Sequence, residues 1–255
     1  MINTLKVICA SLIICGLTMF FGYADSSKVI SFKDKQKGTS NELIIEEKKL
    51  EEESEFLKTE LKYPFLKTNE QSKNKGIDNK VINQINKDIE DVVFKFRNDI
   101  KSASKEYAKG YKEGDMKYKY EVFSEYKVAY NKDNTLSIPF TMYEFTGGAH
   151  GMTNIKSFNY DLLTGEEILL KDMFKDGVDY KSVLNSYIKD DIDNTEDKNI
   201  YFTGDMGFKG IGDNQNFYIS EDGIVVYFSL YEIAPYSSGI PMFTISWDQL
   251  NKYLR

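Results

Sequence analysis

Histidine and tryptophan occur once each in this chain, cysteine twice and proline four times among 255 residues. Both cysteines, Cys9 and Cys15, lie in the one long uncharged run, Val7 to Ala24, so the remainder has no thiol. That excludes disulfides and thiolate chemistry from residues 25–255. With His150 as the only imidazole, one chain cannot assemble a His-based zinc site or a Cys–His pair, and a Ser–His–Asp triad would have to use His150. No GxSxG nucleophile elbow occurs. The 40 acidic residues supply many carboxylates, yet no spacing singles out a pair of the glycosidase kind. No metal and no organic cofactor is expected, clustered carboxylates leaving calcium as the one exception. The chain therefore reads as a binding protein rather than an enzyme, with a hydrolase as the alternative.

Residues 1–24 set the expected address. MINTLK carries one lysine, eighteen uncharged residues follow, and polar DSSK comes next, the order of a secretory signal peptide. Gly22 and Ala24 stand three and one positions before a cut after Ala24. The same run reaches the lower limit of a membrane span, so an uncleaved N-terminal anchor is the other reading, and contact with a membrane is expected only through it. Ile14 occupies the position before Cys15 where a lipoprotein signal needs a small residue, which argues against lipidation. Either way residues 25–255 are expected outside the cell or on its surface. They hold 32 basic and 40 acidic residues, a net charge of −8. An acidic surface excludes nucleic acid as the natural partner and favours a cationic one.

The 18 tyrosines and 17 phenylalanines suit aromatic-lined strands. Residues 25–41 are polar and lack apolar periodicity, a linker. Beyond it Leu57, Thr59, Leu61 and Tyr63 alternate with Lys58, Glu60 and Lys62, predicting a hairpin that ends at Pro64. The acidic run around Glu51, Glu52 and Glu53 reads as a solvated face. Val81, Ile85, Ile89, Val92, Phe96, Ile100, Ala103 and Tyr107 recur every three or four residues and predict one long helix from an Asp78 cap to Gly110. Tyr118 to Tyr130 and Leu136 to Met142 alternate about an NKDN turn, a second hairpin. Later come a strand through Phe158 and Tyr160, a shorter helix through Val183 and Ile188, a glycine-rich loop from Thr203 to Gln215, and strands NFYI, IVVYF and PMFTI. The fold class expected is α+β: antiparallel sheets built from hairpins, one long helix packed on the first sheet, a shorter helix in the C-terminal half.

Two stretches carry a resemblance. YEFTGGAHGMTNIKSFNYDLLTGEEILLKDMF, and later NFYISEDGIVVYFSLYEIAPYSSGIPMFTI, resemble the extracellular C-terminal domain of the RsiV family of anti-sigma factors that sense lysozyme. YPFLK, the helix near INQIN and the hairpin up to Ile138 resemble the N-terminal domain of the peptidoglycan deacetylase PdaC. The resemblance implies a PdaC-like domain over residues 42–150 and an RsiV-like domain over 151–255. It implies lysozyme or a peptidoglycan fragment as partner. Only MINTLK precedes the hydrophobic run, too little to hold a sigma factor, and no His-rich deacetylase domain follows the module, so the expected role is the exported binding part alone. Two loops are the candidate binding rims. In YEFTGGAHG these are Gly147, Gly148 and His150, and in YEIAPYSSG they are Tyr231 and Tyr236. The first reading of either loop is nonetheless a strained link between strands, ahead of direct ligand contact.

Overall fold

The computed structural model describes residues 42–196 and 200–255; the expected signal or anchor and the linker lie outside them. Strands β1 (Leu43–Glu53) and β2 (Leu57–Thr68) form the first hairpin. Leu57, Thr59, Leu61 and Tyr63 are buried, as their alternation requires. The strand does not stop at Pro64 but runs on to Thr68. Beyond Leu61 the neighbouring strand no longer covers β2, so the missing N–H of Pro64 costs no ladder bond.

Helix α1 (Glu70–Asn74) leads into α2 (Asn79–Gly110), 32 residues capped by Asp78, whose carboxylate accepts from the Lys80 N–H at 2.8 Å. Its buried face is Ile82, Ile85, Asn86, Ile89, Val93, Ile100 and Ser104. The stripe thus lies one position round from several expected residues, with Val81, Val92 and Phe96 at its flank. Over nine turns a 3.6-residue period drifts past a fixed three-and-four count.

β3 (Tyr120–Tyr126) lies parallel to β2, because the helical crossover between them returns the chain to the same end of the sheet. β4 (Tyr130–Lys132) and β5 (Thr135–Phe145) meet across Asp133 and Asn134, both at positive φ, the two-residue turn a tight hairpin demands. The even alternation expected from Tyr118 to Tyr130 is broken. Tyr126 faces Phe140 but Tyr130 faces Ser137, so one extra residue bulges out, and Ala129 and Asn131 turn inward. β6 (Met152–Asp161) pairs with β5 along its whole length, carrying the first sheet across residues 150 and 151.

The chain then makes a 3-10 turn at Leu170–Met173, helix α3 (Tyr180–Asn194), and a second sheet of β7 (Phe217–Ile219), β8 (Gly223–Tyr227) and β9 (Met242–Ser246), closed by α4 (Trp247–Leu250). The fold is α+β with predominantly antiparallel sheets.

Among the described residues three apolar clusters define the layers. The first joins α2 to the large sheet through Ile85, Ile89, Val93, Leu136, Ile138 and Phe140. The second joins α3 to the small sheet through Leu184, Ile188, Ile224, Val226 and Phe243. Between the sheets lies a smaller cluster of Ala129, Tyr218, Val225 and Tyr227 with Ile155.

That middle layer also holds polar groups. Ser137 Oγ donates to Asn159 Oδ1 at 2.7 Å and accepts from the Ile219 N–H at 2.9 Å. Asn159 Nδ2 donates to the Phe217 carbonyl at 3.1 Å, and Ser157 Oγ pairs with the Tyr227 hydroxyl at 2.9 Å. Side chains of β5 and β6 thereby satisfy the outward backbone groups of edge strand β7.

Two buried asparagines act alike on the hairpin. Asn86 accepts from the Leu66 N–H at 2.7 Å and donates to the Leu66 carbonyl at 2.9 Å. Asn131 does the same for Leu43, at 3.2 and 3.0 Å. Each clamp replaces a strand partner that the sheet does not supply at that point.

Candidate functional site

The GGAHG loop joins β5 to β6, and YEIAPYSSG joins β8 to β9. Folding brings these loops together although 85 residues separate Gly151 from Tyr236. The His150 ring stacks on Tyr236 with centroids 4.2 Å apart and planes 29° apart. Tyr236 OH donates to the Gly151 carbonyl at 3.1 Å, and His150 Nδ1 lies 2.9 Å from the same oxygen. Tyr231 continues the row, its ring 5.7 Å from that of Tyr236. His150, Tyr236 and Tyr231 thus form one aromatic ridge, with His150 and Tyr231 exposed.

The backbone beneath is tightly determined. Gly147 has φ of +100°, and a Cβ there would stand 3.2 Å from the Tyr118 ring. Gly151 is buried, and a Cβ on it would fall 2.4 Å from the Tyr143 ring and 2.5 Å from the Glu144 carbonyl. Gly148, also at positive φ, has open space around it and contacts neither aromatic loop through a side chain.

Tyr231 is a non-glycine residue at φ +67°, 49% exposed. A turn fixes it there: the Glu232 N–H donates to the Ser229 carbonyl at 3.1 Å, and the Ser229 N–H donates back to the Glu232 carboxylate at 2.7 Å. A bulky residue in this region costs about 1–3 kcal/mol, so the turn holds an exposed ring in a strained backbone. Burial pushes the Tyr236 phenol up, with a smaller contribution from Tyr231. Burial likewise raises Tyr143, then Glu121 and Tyr236. These hydroxyls are neutral donors at physiological pH.

The ridge places two exposed rings, His150 and Tyr231, on either side of the half-buried Tyr236. Among the described residues no group of three or more His, Cys, Asp and Glu is placed to hold a metal. Among the described residues no carboxylate bonds His150, whose ring meets the Gly151 carbonyl and the Tyr236 ring.

At the same end of the large sheet stands the acidic hairpin tip. Its carboxylates are paired: Glu52 with Lys101, Glu53 with Lys119, and Glu55 with Lys117 at 2.6 Å. The Lys101 hydrogen bond holds Glu52 below the usual carboxylate range.

A groove of about 500 Å³ opens beside the polar layer, lined among others by Ser157, Asn159, Lys171, Gln215 and Tyr227. Sequence reasoning did not reach these residues. Their spacing carries no period, and only the packing of the two sheets joins them.

With this geometry in view, the comparisons divide the chain in two. Residues 50–153 match the family model described as deacetylase PdaC, and residues 171–248 match the one described as protein of unknown function DUF3298. The protein thus carries a PdaC-like domain followed by a DUF3298 domain. Among individual proteins it is similar to the peptidoglycan-N-acetylmuramic acid deacetylase PdaC of Bacillus subtilis (strain 168), with 34% identity over 114 residues. That match takes in 43% of this chain and 24% of the relative, so the chain spans about a quarter of the relative's length.

Two solved structures share the fold. A DUF3298 family member from Bacteroides fragilis NCTC 9343 superposes with a TM-score of 0.57 at 20% identity, covering 86% of this chain and 96% of its own. A DUF3298 family protein from Pseudomonas aeruginosa PAO1 gives 0.54 at 18% identity, covering 84% and 94%. Among the described residues no helix is long and apolar enough to cross a membrane.

Proposed function

We propose that this protein is an exported, non-catalytic binding module of the cell envelope, and that its contact surface is the ridge His150–Tyr236–Tyr231. The observation that carries this reading is the ridge itself. Two loops distant in sequence converge to present stacked aromatic rings, one of them exposed on a strained backbone. Exposed tyrosines on a rigid support are the residues that anchor protein and glycan contacts.

The ligand favoured is a cationic protein of the lysozyme kind, as the RsiV-like motifs imply. The net charge of −8 over residues 25–255 supports it by steering encounter. A peptidoglycan fragment is the second reading, supported by the similarity of residues 50–153 to a protein named for acting on that polymer.

Calorimetry of the protein with lysozyme and with muropeptides, at low and high salt, separates the two. Lysozyme should bind, and more weakly as salt rises. Replacing Tyr231 and Tyr236 by Ala should raise the dissociation rate more than neutralising Glu51 to Glu53. Buried aromatic anchors govern residence, whereas the hairpin carboxylates Glu52 and Glu53 are already engaged by lysines. Lysozyme binding that is absent at low salt, or matched by an unrelated acidic protein, moves the muropeptide reading ahead. Release of reducing sugar from wall glycan by the pure protein would overturn the non-catalytic role.

A further inference from the structure

The small sheet has two edges, and the fold treats them differently. Edge strand β7 has its outward backbone groups taken by Asn159 and Ser137. Among the described residues edge strand β9 has no such cover. The Phe228 N–H donates to the Pro241 carbonyl and the Trp247 N–H to the Asp222 carbonyl, which directs the odd-numbered residues 241–247 toward β8. The period of two then turns the N–H and C=O groups of Met242 and Thr244 away from the sheet, and Thr244 is exposed. Pro241, a residue that would blunt an edge, faces β8 and leaves these groups untouched. The next outward donor, the Ser246 N–H, is closed by Gln249 Oε1 at 2.9 Å.

This open edge forms one wall of a groove of about 270 Å³. The other wall is α3, with Tyr187, Asp190, Asp191 and Asn194 on one face at helical spacing. Among the described residues neither Asp190 nor Asp191 has an ion-pair partner; the nearby Lys189 bonds Asp193 instead, at 2.9 Å. The last turn of α3 also has no basic residue. Two carboxylates beside the carbonyl end of a helix are electrostatically unfavourable for the protein alone. A bound cation would relieve that repulsion.

We propose that the β9 edge accepts an extended, lysine- or arginine-bearing peptide segment as an added strand, its basic side chains meeting Asp190 and Asp191. Backbone bonds to Met242 and Thr244 supply the pairing, and the carboxylates select the charge. The surface uses none of the ridge residues, so it stands apart from the ligand proposed for them.

Fluorescence anisotropy with labelled hexapeptides tests this on the intact protein, using Lys-Val-Lys-Thr-Lys-Val, its glutamate counterpart, and a version N-methylated at every residue, which leaves neither edge of the peptide able to donate. The lysine peptide should bind and the other two should not. Thr244→Pro removes an N–H directed away from β8, so the sheet is kept while the peptide's partner is lost. That variant and the double variant Asp190→Asn/Asp191→Asn should each weaken binding by about tenfold. Tyr236→Ala should leave it unchanged. The proposal is overturned if the lysine peptide fails to bind, if the glutamate peptide binds equally, or if the N-methylated peptide binds as well as the unmodified one. Loss of peptide binding in a folded Tyr236→Ala would assign the peptide to the ridge and overturn it as well. Should Thr244→Pro not fold, the N-methylated peptide on the unaltered protein decides the matter.

Discussion

Asn86→Asp changes one atom type at a buried clamp, and its consequences can be worked out in advance. The amide accepts from the Leu66 N–H at 2.7 Å and donates to the Leu66 carbonyl at 2.9 Å, with only 4% of the residue exposed. An ionised aspartate keeps the first bond but sets an oxygen against the Leu66 carbonyl and buries a charge with no cation on the clamp. The loss should be about 3–5 kcal/mol at pH 7, a fall in Tm of about 6–20 °C for a domain of this size. Protonation of the new carboxyl restores a donor toward Leu66, so burial raises its folded pKa above the unfolded value of about 3.9. The penalty is then absent below that unfolded value. It grows as pH rises and is complete above the raised folded pKa. Urea unfolding of both proteins at about pH 4 and pH 7 measures the difference. A deficit below about 1 kcal/mol at pH 7, or the same deficit at both pH values, would refute the clamp as the source of stability.

Two further predictions concern the site and its surroundings. Gly151→Ala should disorder the ridge without unfolding the protein, because its Cβ meets the fixed Glu144 carbonyl at 2.5 Å. Loss of the His150 ring-current shift from Tyr236 in NMR would register it, and an unchanged shift would count against the geometry. Burial pushes the Tyr227 phenol up to about 12, and burial followed by Glu47 does the same for Tyr126. Folded-state pKa values raised above 10 contribute stability that is present below pH 10 and lost as pH rises through 12. Absorbance at 295 nm should therefore show some tyrosines ionising late, in step with alkaline loss of structure, rather than all titrating near pH 10.

The elements of this fold were legible because their signals are local. Helix α2 was marked by its three-and-four spacing, its Asp78 cap and its Gly110 end, and the hairpins by alternation around turn residues such as Asp133 and Asn134. The candidate residues His150, Tyr231 and Tyr236 could be singled out as unusual side chains in glycine- and proline-bearing loops. Their meeting could not, since no period connects Gly151 with Tyr236 across 85 positions. The bulge at Ala129 was also hidden. It exists because Ala129 is needed between the two sheets, and that demand comes from Tyr218 and Val225, far along the chain. Asn86 and Asn131 look like defects in apolar stripes until the uncovered backbones of Leu66 and Leu43 are placed against them. Sequence determined which segments become helix and strand, because backbone preference and hydrophobic period act over a few residues. Tertiary structure alone decided which polar groups are buried, which sheet edge stays open and which aromatic rings meet, because a buried donor or acceptor takes whatever partner the packing of distant segments brings within about 3 Å.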